Sequence, residues 1–129
     1  MVPIIIIETC IEAPVKVCFD FARNVEIHTK TTSQTKERAV DGTTEGFLKK
    51  GDEVTWEAIH FRVKQRLTAK ISEMEEPQSF TDVMVKGAFH SLTHTHEFIE
   101  NGNGTIMKDI FEYKSPFGII GQLADKLFF

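Results

Sequence analysis

Residues 63–74 read VKQRLTAKISEM, and their side chains alternate between two chemical classes. Every second position from Val63 to Ile71 is apolar apart from Gln65, whereas the positions between them are charged or polar. Successive side chains of a β-strand point to opposite faces, so this alternation predicts a strand with one buried face and one solvated face. Such strands are typical of an antiparallel sheet whose apolar face is covered by another element.

Further strands are predicted on both sides of this stretch, at residues 2–11, 35–40, 53–61, 79–86, 90–100 and 105–114. The sequence Asn-Gly-Asn-Gly at 101–104 predicts a tight hairpin between the last two of them. Two short helices are predicted after the first strand, at Pro14 and at Asn24, and residues 117–129 are predicted as an amphipathic helix. This order predicts an α+β fold in one domain, residues 1–129, with a curved antiparallel sheet wrapped around the C-terminal helix.

The composition narrows the classes of partner. The net charge is -4 and no basic run is present, which argues against a nucleic-acid partner. The four isoleucines at 4–7 are too few for a secretory signal or a membrane span, so a cytoplasmic protein with no integral membrane contact is expected. The chain contains 11 Phe, and Phe suits a lined cavity as well as a packed core. The expected partner is therefore a small hydrophobic molecule, bound by a monomer or a homodimer.

The last hairpin carries the main candidate for chemistry. If its turn is centred on residues 102 and 103, His96 faces Asp109 and His94 faces Phe111 across the strands. Opposing Cβ atoms lie roughly 5 Å apart, which permits a hydrogen bond between His96 and Asp109. Three interpretations stay open: a buried pair that satisfies its own polar groups, an Asp109-oriented His96 that transfers protons, and a polar anchor for a ligand.

A metal site is a weaker interpretation of the same residues. His94 and His96 with Asp109, and with His60 as a further candidate, have the residue types of a first coordination shell. Two His at i and i+2 are common by chance, however, and nothing in the sequence fixes a fourth ligand. The prediction is therefore that the protein uses no metal and no cofactor.

The other candidate ligand-binding residues come from inward-facing strand positions and from one loop. Trp56 and His60 share a face of their strand, and Asp82 is expected to pair with His60, with His94 or with a ligand group. The full predicted set is Trp56, His60, Gln65, Asp82, Phe89, His94, His96, Asp109, Phe111 and Tyr113.

The order of elements resembles the helix-grip fold of the SRPBCC superfamily, which includes START lipid-transfer domains and polyketide cyclases. Local motifs resemble the bacterial cyclase/dehydrase-like members. The matching segments are residues 13–19, GTTEG at 42–46, GDEVTWEA at 51–58, HF at 60–61, GAF at 87–89, HTH at 94–96, MKD at 107–109 and residues 113–127. The resemblance leads us to expect Gly after residues 60 and 61, where this chain has Arg62.

The resemblance implies binding of a small hydrophobic ligand, such as a lipid, polyketide or isoprenoid, in an internal cavity. One alternative is an enzyme of the polyketide cyclase or dehydratase type that uses the His96–Asp109 pair. A second alternative is a stress-related or protein-interaction module. A fold hosts many activities, so only the residues of the site can separate these functions.

Overall fold

β-Strands dominate the chain because alternating and β-branched segments recur along it. A computed structural model describes residues 3–31, 37–60, 62–87 and 89–114, without the side chains of residues 31 and 60. The helix predicted at 117–129 lies outside these residues. The elements are β1 Ile4–Ile11, α1 Val15–Ala22, α2 Val25–Thr31, β2 Arg38–Gly42, β3 Glu53–His60, β4 Val63–Glu75, β5 Ser79–Lys86, β6 Ser91–Asn101 and β7 Gly104–Lys114.

The strands form one antiparallel sheet with the order β1-β7-β6-β5-β4-β3-β2. Strands from β2 to β7 pair with their neighbours in sequence, and β1 joins the far edge beside β7. The two helices lie between β1 and β2 in the chain, so they carry it from one edge of the sheet to the other. This arrangement is the helix-grip fold that the sequence predicts.

The predicted hairpin register is confirmed: Asn101 faces Gly104, His96 faces Asp109 and His94 faces Phe111. The Gly at position 102 has a positive φ of 62°, which suits the tight turn between β6 and β7. The turn chemistry thus fixes which side chains of the two strands meet.

The start of α2 is held by a side-chain cap and by the loop before β3. Asn24 caps α2 as predicted, since the backbone N–H of Ile27 donates to its Oδ1 at 2.9 Å. The N–H of Val25 donates to the carbonyl of Gly46 at 2.9 Å, and the N–H of Leu48 donates to that of Arg23 at 2.8 Å. These bonds hold the start of α2 against the segment that precedes β3.

Two apolar clusters cover part of the concave face. In the first, Phe19 of α1 is fully buried and packs edge-on against Phe80 and Phe98, with ring centroids 5.7 and 5.5 Å away. In the second, Phe89 and Leu92 pack with side chains from β4, β5 and β7. The two clusters are separate, and members of both line the cavity described below.

The turn between β3 and β4 contains the departure from the resembled family. Arg62 has a φ of 66°, and it is the one non-glycine residue of the described ranges with a positive φ. A side chain in this left-handed region costs roughly 1–2 kcal/mol relative to the right-handed one. Gly, which was expected here, has no Cβ and adopts this conformation without strain, whereas Arg62 adopts it at that cost.

Within the described ranges, no helix combines the length and the apolar character needed to cross a membrane.

Candidate functional site

A cavity of about 190 Å³ lies against the concave face of the sheet. Its apolar lining consists of Ala22, Leu48, Val54, Trp56, Ala58, Leu67, Ala69, Ile71, Phe80, Met84, Phe89 and Leu92. Its polar lining consists of Asn24, His28, Glu37, Gln65, Arg66, Asp82, His94 and His96. The inward-facing rows of β3, β4, β5 and β6 supply most of these residues, because alternate side chains of a strand share one face.

Six of the ten predicted ligand-binding residues line this cavity, namely Trp56, Gln65, Asp82, Phe89, His94 and His96. The side chain of His60 lies outside the described part of the structure. Three others were expected at the cavity and are not among its lining residues. Asp109 bonds to the two His rings, Phe111 stacks on His94, and Tyr113 packs edge-on against Phe89. These three support residues that do line the cavity.

Asp82, His94, His96 and Asp109 form one hydrogen-bonded group, which we call the Asp–His cluster. His96 joins the two carboxylates, with its Nε2 at 2.9 Å from Asp82 Oδ2 and its Nδ1 at 3.3 Å from Asp109 Oδ1. His94 Nε2 lies 2.9 Å from the same Asp109 oxygen. The predicted His96–Asp109 contact therefore exists within a larger cluster that spans β5, β6 and β7.

The structure gives Asp82 a partner that was not among those predicted (His60, His94 or a ligand group), since its carboxylate hydrogen-bonds to His96. The register places Asp82 directly opposite His94. The hydrogen bond runs instead to the diagonal neighbour two residues along β6, which long side chains reach across an antiparallel pair. The shortest bond of Asp109 is also diagonal, because Asp109 faces His96 but lies closest to His94.

The imidazole rings of the cluster are held by stacking. The His94 and His96 centroids are 3.6 Å apart, Phe80 lies 4.1 Å from His96, and Phe111 lies 3.9 Å from His94. Four rings thus form a column across three strands. Flat contacts of this kind leave each imidazole little freedom to rotate, so its ring nitrogens stay aimed at the carboxylates.

The two histidines of the cluster differ in protonation. Burial by itself would lower the pKa of His96, but the hydrogen bonds to Asp109 and Asp82 outweigh it and raise that pKa to about 9. Burial and the nearby positive charge of His96 together lower the pKa of His94, despite its bond to Asp109. At neutral pH the cluster therefore contains a His96 imidazolium and a neutral His94.

The carboxylates of Asp82 and Asp109 stay ionised because the histidines hydrogen-bond to them. Burial opposes the charge of Asp82 and Asp109, yet hydrogen bonds from the histidines lower the pKa of both carboxyl groups. Among the described side chains, Asp82 is bonded by His96 alone, whereas Asp109 is contacted by both rings. An imidazolium between two carboxylates is a well-satisfied arrangement for a buried charge.

Imidazole titration by NMR tests this assignment. We expect the ring signals of His96 to titrate with a midpoint of about 9 and those of His94 to titrate below 6.5. An Asp109→Asn substitution should lower the midpoint of His96, because one of its two charged acceptors becomes neutral. A His96 midpoint near 6.5 in the unaltered protein would contradict the charged arrangement.

The cluster also has the composition of a metal site. Asp82, His94 and His96 offer ligating atoms that lie within 4.8 Å of one another. Both ring nitrogens of His96 already hydrogen-bond to carboxylates, so coordination of a metal by His96 would break one bond and release a proton.

The sequence analysis missed a second polar contact at the cavity. The ring of His28, from α2, lies on the Trp56 indole with centroids 4.1 Å apart, and its Nε2 is 3.1 Å from Glu37 Oε1. All three residues line the cavity. No periodic pattern connects a helix residue to a strand that begins 25 residues later, so only the tertiary structure could place His28 here.

A family model described as "Polyketide cyclase / dehydrase and lipid transport" matches residues 11–128 of this chain. No curated protein matches the chain in sequence.

Solved structures share the fold at low sequence identity. Protein Ms6760 from Mycobacterium smegmatis is 20% identical with a TM-score of 0.75, over 97% of this chain and 84% of that one. Protein TTHA0849 from Thermus thermophilus is 20% identical with a TM-score of 0.73, over 97% and 83%. The major latex-like protein 151 of Panax ginseng is 17% identical with a TM-score of 0.68, over 90% and 81%. At these identities the likeness concerns the fold alone.

Proposed function

Because this chain belongs to the polyketide cyclase / dehydrase and lipid transport family, we propose that it binds a small hydrophobic molecule in its cavity. The supporting observation is the cavity itself, which is lined mostly by apolar side chains and in which three of the polar ones, Asp82, His94 and His96, form one compact cluster. Small-molecule sites are commonly built this way, with apolar surface for affinity and a few convergent polar groups for orientation. Asp82, His94 and His96 supply those polar groups.

The volume of the cavity limits the size of the ligand. A dry apolar cavity of about 150 Å³ is known to admit benzene, and pockets for drug-sized molecules measure roughly 300–1,000 Å³. The cavity here measures about 190 Å³. The volume therefore favours a molecule with one or two rings over a complete lipid.

Cyclase or dehydratase chemistry is a second candidate function. The geometry favours His94 over the predicted His96 as its general base. His96 has both ring nitrogens bonded to carboxylates and a pKa of about 9, so it is a poor proton acceptor near neutral pH. His94 lines the cavity, has a lowered pKa, and is oriented by Asp109 through its Nε2. Its Nδ1 would then accept a proton from a bound substrate.

Toluene titration followed by NMR tests the binding proposal, since toluene is slightly larger than benzene and carries no polar group. We expect saturable binding, with shifts at cavity residues such as Val54, Ile71 and Leu92. Ile4 and Ile99 are internal controls, because their side chains are exposed. Absence of saturable binding, or shifts of equal size at Ile4 and Ile99, would overturn the proposal.

A further inference from the structure

We propose that the ligand of this cavity carries an amine at the end that meets the Asp–His cluster. This inference rests on the binding function proposed above and adds the chemical class of the ligand. It is carried by geometry, since two carboxylates hydrogen-bond to two stacked imidazoles, and three of these four side chains line a mostly apolar cavity.

The charges of the cluster do not cancel. The ring centroids of His94 and His96 lie 3.6 Å apart, and two imidazolium ions at that separation would repel each other strongly. The pair therefore holds one positive charge, consistent with the lowered pKa of His94. Asp82 and Asp109 contribute two negative charges, which leaves the cluster with a net charge of minus one.

Two hydrogen-bond acceptors of the cluster are left without a donor in the described part of the protein. Asp82 Oδ2 accepts from His96, whereas its other oxygen has no such partner. His94 donates from Nε2 to Asp109, so its Nδ1 carries a lone pair. Asp82 and His94 both line the cavity, and their side chains are 23% and 14% exposed, respectively.

Among the described residues, two other charged side chains that line the cavity, Arg66 and Glu37, have hydrogen-bond partners. Arg66 donates from Nε to Glu57 Oε2 at 3.0 Å, and His28 lies 3.1 Å from Glu37. Arg66 and Glu37 thus already have partners, whereas one oxygen of Asp82 has no donor among the described residues. Phe80, which lies against the His96 ring, also lines the cavity, together with further apolar side chains such as Phe89 and Leu92.

An ammonium group fits this end better than the other common polar groups. It donates up to three hydrogen bonds and also neutralises the excess negative charge. A hydroxyl group donates one bond and leaves the charge in place. A carboxylate brings a second negative charge into a buried site and has no proton to donate. The apolar wall then accommodates a hydrophobic ring attached to the amine.

Four phenyl compounds of similar size test the proposal at pH 7 by calorimetric titration: 2-phenylethylamine, 2-phenylethanol, 3-phenylpropanoate and ethylbenzene. A hydrogen bond to a charged partner is stronger than a neutral one, so we expect the amine to bind about tenfold more tightly than the alcohol. The carboxylate should bind most weakly. An alcohol or carboxylate that binds as tightly as the amine would overturn the amine assignment alone.

An Asp82→Asn variant tests the source of the preference, because it keeps the shape of the side chain and removes its charge. The ratio of the amine affinity to the alcohol affinity, both measured on this variant, should fall from about tenfold toward one. Glu73→Gln is the matched control, since Glu73 is 75% exposed and does not line the cavity. An undiminished advantage in Asp82→Asn would contradict the proposal.

The series separates the two levels of inference. If ethylbenzene binds and the amine shows no advantage, the cavity binds ligands and the amine assignment is wrong. If none of the four compounds binds, both the amine assignment and the binding function fail. The comparison among compounds uses the unaltered protein, so it stands even where Asp82→Asn does not fold.

Discussion

Replacing His96 by Ala should lower the free energy of unfolding by about 3 kcal/mol at pH 7, because it removes the cation between two half-buried carboxylates. Asp82 and Asp109 each lose a hydrogen bond to the imidazolium. Asp109 keeps His94, whereas Asp82 keeps no hydrogen-bond partner among the described side chains. Urea unfolding measures the loss.

The matched control is His90→Ala. His90 belongs to the same residue type but is exposed at the surface, so its replacement should change stability by less than about 0.5 kcal/mol. Equal effects of the two substitutions would mean that the charged cluster contributes nothing to the folded state.

The pH dependence of the same variant gives a second readout. The pKa of His96 is raised from 6.5 to about 9 on folding. Its contribution to the free energy of unfolding is therefore complete below pH 6.5 and is lost as the pH rises to about 9. That shift corresponds to about 3 kcal/mol in the unaltered protein. His96→Ala should lack this decline. At acid pH, protonation of Asp82 and Asp109 should also reduce the difference in the free energy of unfolding between the unaltered protein and His96→Ala. The reason is that the pKa of each carboxyl is lowered on folding.

The second large effect is expected from Ala69→Phe, which should abolish toluene binding. Ala69 is buried at 6% exposure on β4 and lines the cavity. A phenyl ring at this position projects into a space of about 190 Å³ and occupies the volume that a ligand would use. Overpacking of a core site costs about 1–3 kcal/mol, so urea unfolding should accompany the binding measurement to show that the variant is folded.

Lys70→Phe provides the control for Ala69→Phe. It adds the same ring one residue further along β4, where the side chain is exposed and points to the opposite face of the sheet. Toluene should bind this variant as tightly as it binds the unaltered protein. Retained binding in Ala69→Phe would show that the probe binds elsewhere.

The fold could be predicted from the sequence because it depends on local patterns. Alternation over residues 63–74 fixes one strand and its inward face, and the Gly-rich hairpin at 101–104 fixes the register of β6 and β7. That register places His96 opposite Asp109 before any coordinates are known. Local rules of this kind transfer well because each involves neighbours in the chain or across one turn.

The arrangement of the site could be predicted only in part. The sequence identifies Asp82, His94 and His96 as inward-facing, but it cannot choose between direct and diagonal hydrogen bonds, since both partners are within reach of a long side chain. The contact of His28 with Trp56 depends on how α2 packs on the sheet. The cavity volume depends on the packing of all its walls at once, which no pattern in the sequence encodes.

The contact between Trp56 and His28 has a practical consequence. Trp56 is the one tryptophan of the chain, its indole lines the cavity, and an imidazole lies 4.1 Å from it. Indole fluorescence responds to the polarity around the ring and to quenching by a nearby imidazole. The unlabelled protein therefore has one intrinsic tryptophan signal, and its ring lines the cavity in which we propose that a ligand binds.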